Sequence, residues 1–299
     1  MSPSKSGGGT WGDSGHLNWP TMSQHLQDKV VVITGAGGGF GKLIAEKCAA
    51  AGARVVGVDI GAENLAAVFD AIREAGLSGT YQVADVTDIE QMKAAVQHAV
   101  QTFGAVDVIV NNAGVMPLAY FADHEKAWQH WHRAIDINIK GVVNGISAVY
   151  DQMIEQGRGH VVNISSIYGN AGVAGSGVYS ATKAAVAVLS DSLRSEAKGK
   201  IKVTTVKPTG VLGTNLGRGV VNGSAIMGIV GSRGESYVRS VTAFAEGTLD
   251  PEQTDIDSVK YWLITPEDLA EAVVHVIDQP WGISISDITV RASGEDYIY

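Results

Sequence analysis

Cysteine occurs once in the 299 residues, at Cys48. That excludes an intramolecular disulfide and a cysteine-built metal cluster, and it fits a reducing compartment. Cys48 sits in a helix-patterned stretch, Ile44 to Ala51, where a thiol serves as a small core residue. Proline is scarce, 7 residues against 37 glycines, a balance that suits many tight strand-to-helix turns and not a proline-rich linker. Positive charge is also short. With 22 Lys and Arg against 31 Asp and Glu, the net charge is -9, and no basic stripe is present to neutralise a phosphate backbone, so no nucleic-acid partner is expected. Apolar runs stop well before the ~18 residues of a membrane span, and the N-terminus lacks the apolar core of a secretory signal. The reading is a cytoplasmic chain without a membrane partner.

What remains is apolar in short pieces, 45% hydrophobic overall. Residues 1–27 are rich in Ser and Gly without a period, and read as a flexible N-terminal extension, with Met22 an alternative start. The extension carries a decoy, Gly7-Gly8-Gly9-Thr10-Trp11-Gly12. It matches the dinucleotide pattern G-x-G-x-x-G, but no strand precedes it and no helix follows. The pattern in context comes later. Val30-Val31-Val32-Ile33 is an apolar run of the buried parallel-strand type, followed by Thr34-Gly35-Ala36-Gly37-Gly38-Gly39-Phe40-Gly41 and a helix to Ala51. Bare backbone N–H groups and the positive end of a helix at one turn suit a phosphate. The next strand ends at Asp59, where a carboxylate can accept both ribose hydroxyls of an adenosine and would repel a 2′-phosphate. Neither Gly38 nor Ile60 supplies a compensating arginine, so NAD is favoured over NADP.

The alternation continues, with helices predicted near 62–75, 88–103, 125–156, 176–198 and 266–278. Strands are predicted near 80–84, 106–110, 159–164, 201–206 and 284–290. Repeated βα units predict an α/β fold, one doubly wound, seven-stranded parallel sheet with helices on both faces, in a single domain over 28–299. Ligands of such sheets lie beyond the C-terminal strand ends. Polar groups collect there: Asp59, Asp85-Val86, Asn111-Asn112-Ala113-Gly114, Ser165-Ser166 and Pro208-Thr209-Gly210.

Tyr179 and Lys183 stand four apart at the head of a predicted helix, on one face. A phenol titrates near pH ~10 in water, and a neighbouring ammonium would pull that value down toward useful acid/base exchange. At this point the chain from about Lys29 onward resembles the single-domain short-chain dehydrogenases/reductases, a Rossmann-like family. The motifs are T-G-x-x-x-G-x-G (Thr34, Gly35, Gly39, Gly41), Asn111-Asn112-Ala113-Gly114, Asn138 in Asp-Ile-Asn-Ile-Lys-Gly, Asn-Ile-Ser-Ser at 163–166, and Tyr179-x-x-x-Lys183. The resemblance implies Tyr179 as acid/base, Lys183 as its activator and holder of the nicotinamide ribose, and Ser166, thirteen positions before Tyr179, as the residue orienting substrate oxygen. It implies that Asn138 supports the lysine through water. It implies cofactor contacts from Gly35, Gly39, Phe40, Gly41, Asp59, Asp85, Val86, Asn112 and Gly114. The family commonly has Pro-Gly after the sixth strand. Here the run is Pro208-Thr209-Gly210-Val211-Leu212-Gly213-Thr214, shifted or one residue longer, and Val211 and Thr214 are the candidates for the nicotinamide amide.

Residues about 213–265 form a long glycine-dotted segment, expected to be a substrate lid with short helices of its own. Val220, Val221, Ile226, Met227, Ile229 and Val230, with Met116, Tyr168 and Trp262, predict an apolar pocket and a neutral secondary alcohol or ketone. Arg218 and Arg233 are the lid cations that could meet an acidic substrate. His124, His130 and His132 make a superficial cluster, and no metal is expected. The leading expectation is therefore an NAD-dependent alcohol dehydrogenase or ketone reductase. The alternative is a catalytically idle NAD-binding regulator on the same fold, which should have lost Tyr179 or Lys183. An epimerase or dehydratase would ordinarily carry G-x-x-G-x-x-G. Pairing of the helices near 125–156 and 176–198 is expected to give a homodimer or homotetramer, as is usual in the family.

Overall fold

The computed structural model describes residues 25–211 and 214–298. The decoy glycines and Met22 lie outside the described residues, as do Leu212 and Gly213. Among the described residues, β1 (Val30–Thr34), β2 (Arg54–Asp59), β3 (Gly79–Val83), β4 (Val108–Asn111), β5 (Gly159–Ile164), β6 (Ile201–Pro208) and β7 (Asp287–Val290) form one sheet. Its order is β3-β2-β1-β4-β5-β6-β7, every pairing parallel. Between them run α1 (Gly39–Ala50), α2 (Ala62–Glu74), α3 (Ile89–Phe103), α4 (His124–Ile135), α5 (Gly141–Glu155), α6 (Gly177–Glu196) and, past the lid, α10 (Pro266–Ile277).

The strands are apolar at consecutive positions because both sheet faces are covered. In β1, Val31 and Ile33 pack toward α1, α2 and α10, whereas Val30 and Val32 pack toward α3 and α5. The same alternation sends Val108 and Val110 of β4 one way and Ile109 the other. Strand order reverses between β1 and β4, which opens a crevice at their C-terminal ends. Thr34 closes its base: its Oγ1 accepts from the backbone N–H of Asn112 (3.0 Å) and Ala113 (3.1 Å). Asn112 Nδ2 in turn donates to the Thr34 carbonyl at 2.9 Å.

The predicted 125–156 helix is interrupted. Asp136–Lys140 forms a π-helical turn between α4 and α5. The extra residue in that turn rotates Asn138 inward, where it is 1% exposed. Helical periodicity alone does not show such an insertion. β7 also starts later than predicted, at Asp287.

The long segment before α10 contains α7 (Ile226–Val230), α8 (Gly234–Glu246) and α9 (Pro251–Thr254) with 3₁₀ turns. It packs on the body through a separate apolar cluster that includes Leu118, Ile167, Tyr168, Tyr179, Ile229, Tyr237 and Trp262. No helix among the described residues is long and apolar enough to cross a membrane.

Candidate active site

The glycine loop after β1 forms one wall of a cleft of about 330 Å³ with Asp59, Asn112, Ala113 and Gly114. Its glycines do different jobs. Gly35 has φ +70°, and a Cβ on Gly41 would lie 2.1 Å from the Gly35 carbonyl, so bare glycine lets α1 dock against β1. Gly39 has φ +51°, and a Cβ there would meet nothing within 4 Å, so its Cα faces open space. α1 starts at Gly39 without a side-chain cap, leaving its first N–H groups for a ligand. Asp59 accepts from Gly37 N (3.0 Å) and Gly61 N (2.9 Å), which aims its carboxylate into the cleft. A second hollow of about 690 Å³ continues past Asp59 between Asp85-Val86 and α4. Asp85 Oδ1 accepts from Thr87 N at 2.8 Å, and the Val86 carbonyl accepts from Asn144 at 2.8 Å. This cradle fits a dinucleotide: phosphates at the uncapped helix, a ribose at Asp59, a flat base beside Asp85 and Val86.

α6 carries Tyr179 and Lys183 into an apolar pocket of about 290 Å³, with Ser165 and Ser166 from the end of β5. Ser165 Oγ donates to the Lys183 carbonyl at 2.8 Å, a structural tie between β5 and α6. Ser166 Oγ accepts from Tyr168 N at 3.2 Å and lies against the Tyr179 phenol. Ser165 is thus tied into the fold, while Ser166 stands beside the phenol in the pocket. Lys183 Nζ donates to the Ile164 carbonyl at 2.8 Å and lies 5.9 Å from the centre of the Tyr179 ring. A Cβ on Gly114 would approach Lys183 Nζ to 3.5 Å and Asn138 Oδ1 to 3.3 Å, so the lysine, the asparagine and the cleft meet at that glycine.

Asn138 bonds directly to the loop after β4 and to α6. Its Oδ1 accepts from Val115 N (2.9 Å), and its Nδ2 donates to Val115 O (2.9 Å) and Thr182 Oγ1 (3.0 Å). Thr182 Oγ1 donates to the Tyr179 carbonyl at 2.7 Å, so the π-turn, the loop after β4 and the first turns of α6 are one hydrogen-bonded unit. The electrostatics also depart from the sequence argument. Burial pushes the Tyr179 phenol up to about 12, with the Ser166 hydroxyl acting the other way, and burial brings the Lys183 ammonium down to about 8. Desolvation outweighs the attraction that the four-residue spacing suggested.

Of the pocket residues predicted from sequence, Met116, Tyr168, Val220, Ile226 and Ile229 line it. The others do not. Val221 packs toward Trp131, Met227 faces solvent at 39% exposure, and Val230 is buried in the lid. Trp262 stands behind Tyr237, ring centres 6.0 Å apart. Val211 and Thr214 both line the pocket. Arg233 donates to the Glu295 carbonyl at 3.3 Å, and Arg218 is exposed in a 3₁₀ turn. His124, His130 and His132 are exposed along α4, and the described residues include no group of three or more His, Cys, Asp or Glu able to hold a metal ion. Sequence reasoning missed Tyr237 and Tyr297, which line the same pocket.

The family model for short chain dehydrogenases matches residues 29–223. The chain belongs to that family. It is an oxidoreductase of the short-chain dehydrogenase type, with the sheet and crevice the family requires. An uncharacterized oxidoreductase of Staphylococcus aureus strain MW2 is 33% identical over 267 residues, covering 89% of this chain and 98% of the relative. One from Staphylococcus saprophyticus is 30% identical over 273 residues, covering 91% and 98%. Among solved structures, an alcohol dehydrogenase from the archaeon Thermococcus sibiricus, complexed with 5-hydroxy-NADP, superposes with TM-score 0.72 at 22% identity. That superposition covers 91% of this short-chain dehydrogenase and all of the archaeal chain, and it establishes the shared fold.

Proposed function

We propose that this protein interconverts a secondary alcohol and its ketone with NAD as the hydride carrier. One observation carries the reading: the glycine cleft and the pocket of Tyr179, Ser166 and Lys183 share Phe40, Asn112, Gly114, Thr214 and Leu216 as common walls. A nucleotide lying in the cleft would therefore border the pocket. When bound, the nicotinamide accepts or donates the hydride. Asp59 would hold the adenosine ribose, Asp85 and Val86 the base, Lys183 the second ribose, and Val211 and Thr214 the amide. Asp59 lies where a 2′-phosphate would meet a carboxylate, which supports NAD over NADP.

Ser166 binds and orients the substrate oxygen through its hydroxyl. Tyr179 exchanges the proton with that oxygen. A phenol near 12 stands protonated at neutral pH, the form that donates to a ketone, and the same burial opposes the phenolate that takes a proton from an alcohol. Lys183, beside the ring, supplies the positive charge that lowers the energy of the phenolate when it forms. Asn138 and Thr182 keep this turn of α6 registered on the loop after β4. The apolar lining excludes water and favours an uncharged substrate.

A catalytically idle nucleotide binder is the poorer reading, because Tyr179, Lys183 and Ser166 converge on one pocket. Trp128, Ile135, Val143 and Val188, exposed on α4, α5 and α6, support association of copies through these helices, checked by light scattering. The presence of one cysteine, the buried Cys48, supports a cytoplasmic setting. The test of the activity is a panel of secondary alcohols and ketones, assayed by nicotinamide absorbance with NAD and with NADP. Turnover with NAD is expected. No turnover of any member with either nucleotide would overturn the reading.

A further inference from the structure

The shifted run Pro208-Thr209-Gly210 meets the C-terminal tail. Beyond β7 the chain turns back across the lid and places Tyr297 over Gly210. A Cβ at Gly210 would fall 1.8 Å from the Tyr297 hydroxyl oxygen, so a side chain there and this ring position exclude one another. Thr209 faces Glu295, whose carboxyl is pushed up by burial and held down by the Thr209 hydroxyl and by Arg291. The tail is tied at several points. Arg291 donates to Glu295 Oε1 (2.6 Å) and to the Tyr297 carbonyl (3.1 Å), and Trp262 Nε1 donates to Asp296 Oδ2 (2.9 Å). Arg233 reaches over from the lid to the Glu295 carbonyl. Tyr297 is 7% exposed, edge-on to Tyr168 (6.3 Å between ring centres) and to Tyr237 (5.8 Å). Tyr168 is pinned in turn, its hydroxyl donating to the Ile229 carbonyl at 3.2 Å. All three rings line the pocket that holds Tyr179.

Resting on the alcohol–ketone reading, we propose that Tyr297 is a specificity-determining residue, the end wall that restricts the substrate to an uncharged secondary alcohol or ketone bearing one ring or a short branched chain. The size argument is direct. Drug-sized ligands occupy pockets of roughly 300–1,000 Å³. This pocket has about 290 Å³, and part of that borders Phe40, Asn112, Gly114, Val211 and Thr214, where the nicotinamide would lie. The space left beside it is smaller still, which points to a group of about one ring. The wall is rigid because the tail's backbone and side chains are held by the arginines and by Trp262, and three tyrosine rings present edges and faces to an apolar group. Among the described lining residues the charged one is Lys183, which donates to Ile164 and is assigned to the nicotinamide ribose, so no second cation is there for a carboxylate or phosphate on the substrate.

The experiment compares 1-phenylethanol with 1-(2-naphthyl)ethanol by kcat/KM, and acetophenone with 2-acetylnaphthalene by calorimetric binding to the NADH-loaded enzyme. The wild type is expected to prefer the one-ring member by about tenfold or more, within the ~10–200-fold range that modest steric differences produce. Tyr297→Ala should erase that preference by admitting the naphthyl compounds, and Tyr297→Phe, which keeps the ring, should retain it. Tyr297→Leu serves as a second shortened variant if the alanine form is not folded by circular dichroism. An unchanged ratio in the folded shortened variants, or binding of neither ketone by the wild type, would overturn the wall. Ketone binding without turnover of any alcohol or ketone would instead sink the alcohol–ketone reading, and the binding ratios would still decide the role of Tyr297.

Discussion

The glycine cleft and the pocket that holds Tyr179 are built in different ways. In the first, β1, β2 and β4 end in short turns, and the cleft is shaped by missing side chains: Gly35, Gly39 and Gly41, with Asn112 and Thr34 bonded across the switch point. In the second, the walls are large side chains brought from distant segments: Met116, Tyr168, Ile229, Tyr237 and Tyr297. A cleft made of backbone can be specified by local sequence, since each turn needs its own glycines. A pocket made of side chains depends on which rings meet, and the lid and tail decide that together. The first half therefore rests on local turns, while the second depends on long-range packing.

The sharpest break between the halves is Tyr179→Phe. It removes the phenol hydroxyl and keeps the ring, so kcat should fall by ~10²–10⁴ while NADH binding, followed by fluorescence, stays near wild type. Retained turnover would take the acid/base role from Tyr179. The converse break is Gly41→Ala. A Cβ 2.1 Å from the Gly35 carbonyl forces α1 off β1, and overpacking of this kind costs about 1–3 kcal/mol. Both NADH affinity and the denaturant midpoint should drop, and an unperturbed midpoint would refute the close-approach account.

Asp59→Ser sharpens the first half alone. It should move the NADP-to-NAD ratio of kcat/KM by about tenfold toward NADP, since a charge-assisted hydrogen bond contributes about 1.5–3 kcal/mol. An unmoved ratio would remove Asp59 from the ribose.

The smallest effect concerns burial in the second half. Lys183 is lowered from 10.5 to about 8 by desolvation. Below about pH 8 the folded protein carries a buried ammonium that the unfolded chain hydrates freely. Between about 8 and 10.5 the folded form loses that proton first, so wild-type stability rises with pH across this window. Lys183→Met should therefore exceed the wild type in thermal midpoint most at neutral pH, with the difference shrinking from pH 8 upward. A difference that stays constant from pH 8 to 10.5 would contradict the burial account.

Much of the first half was legible in the residues. Val30 to Ile33 reads as a buried strand because both faces of β1 are covered, and Asp59 stands out as a carboxylate at a strand end. Tyr179 and Lys183 were legible as a pair four apart on one helix face and Ser166 through the family resemblance, and the structure brings them to one pocket. The π-turn at Asp136–Lys140 was hidden, because one extra residue per turn barely alters an apolar period. Val221, Met227, Val230 and Trp262 were assigned to the pocket on polarity, which does not tell a residue facing the cavity from one facing the body or solvent. The protonation balance of Tyr179 and Lys183 was misread for a related reason: spacing reports that the two groups are neighbours, and burial, which dominates, is a property of everything packed around them.

The residues by themselves determined the parallel sheet, its glycine turn and the order of polar groups along its C-terminal edge, since those depend on backbone geometry and local periodicity. Tertiary structure decided the rest. It turned Asn138 inward, gave Lys183 its buried carbonyl partner, and brought Tyr297 from the far end of the chain to within contact of Gly210. The physical reason is range. A turn is set by the dihedral preferences of a few neighbours, whereas desolvation and ring packing sum over segments that only folding brings together.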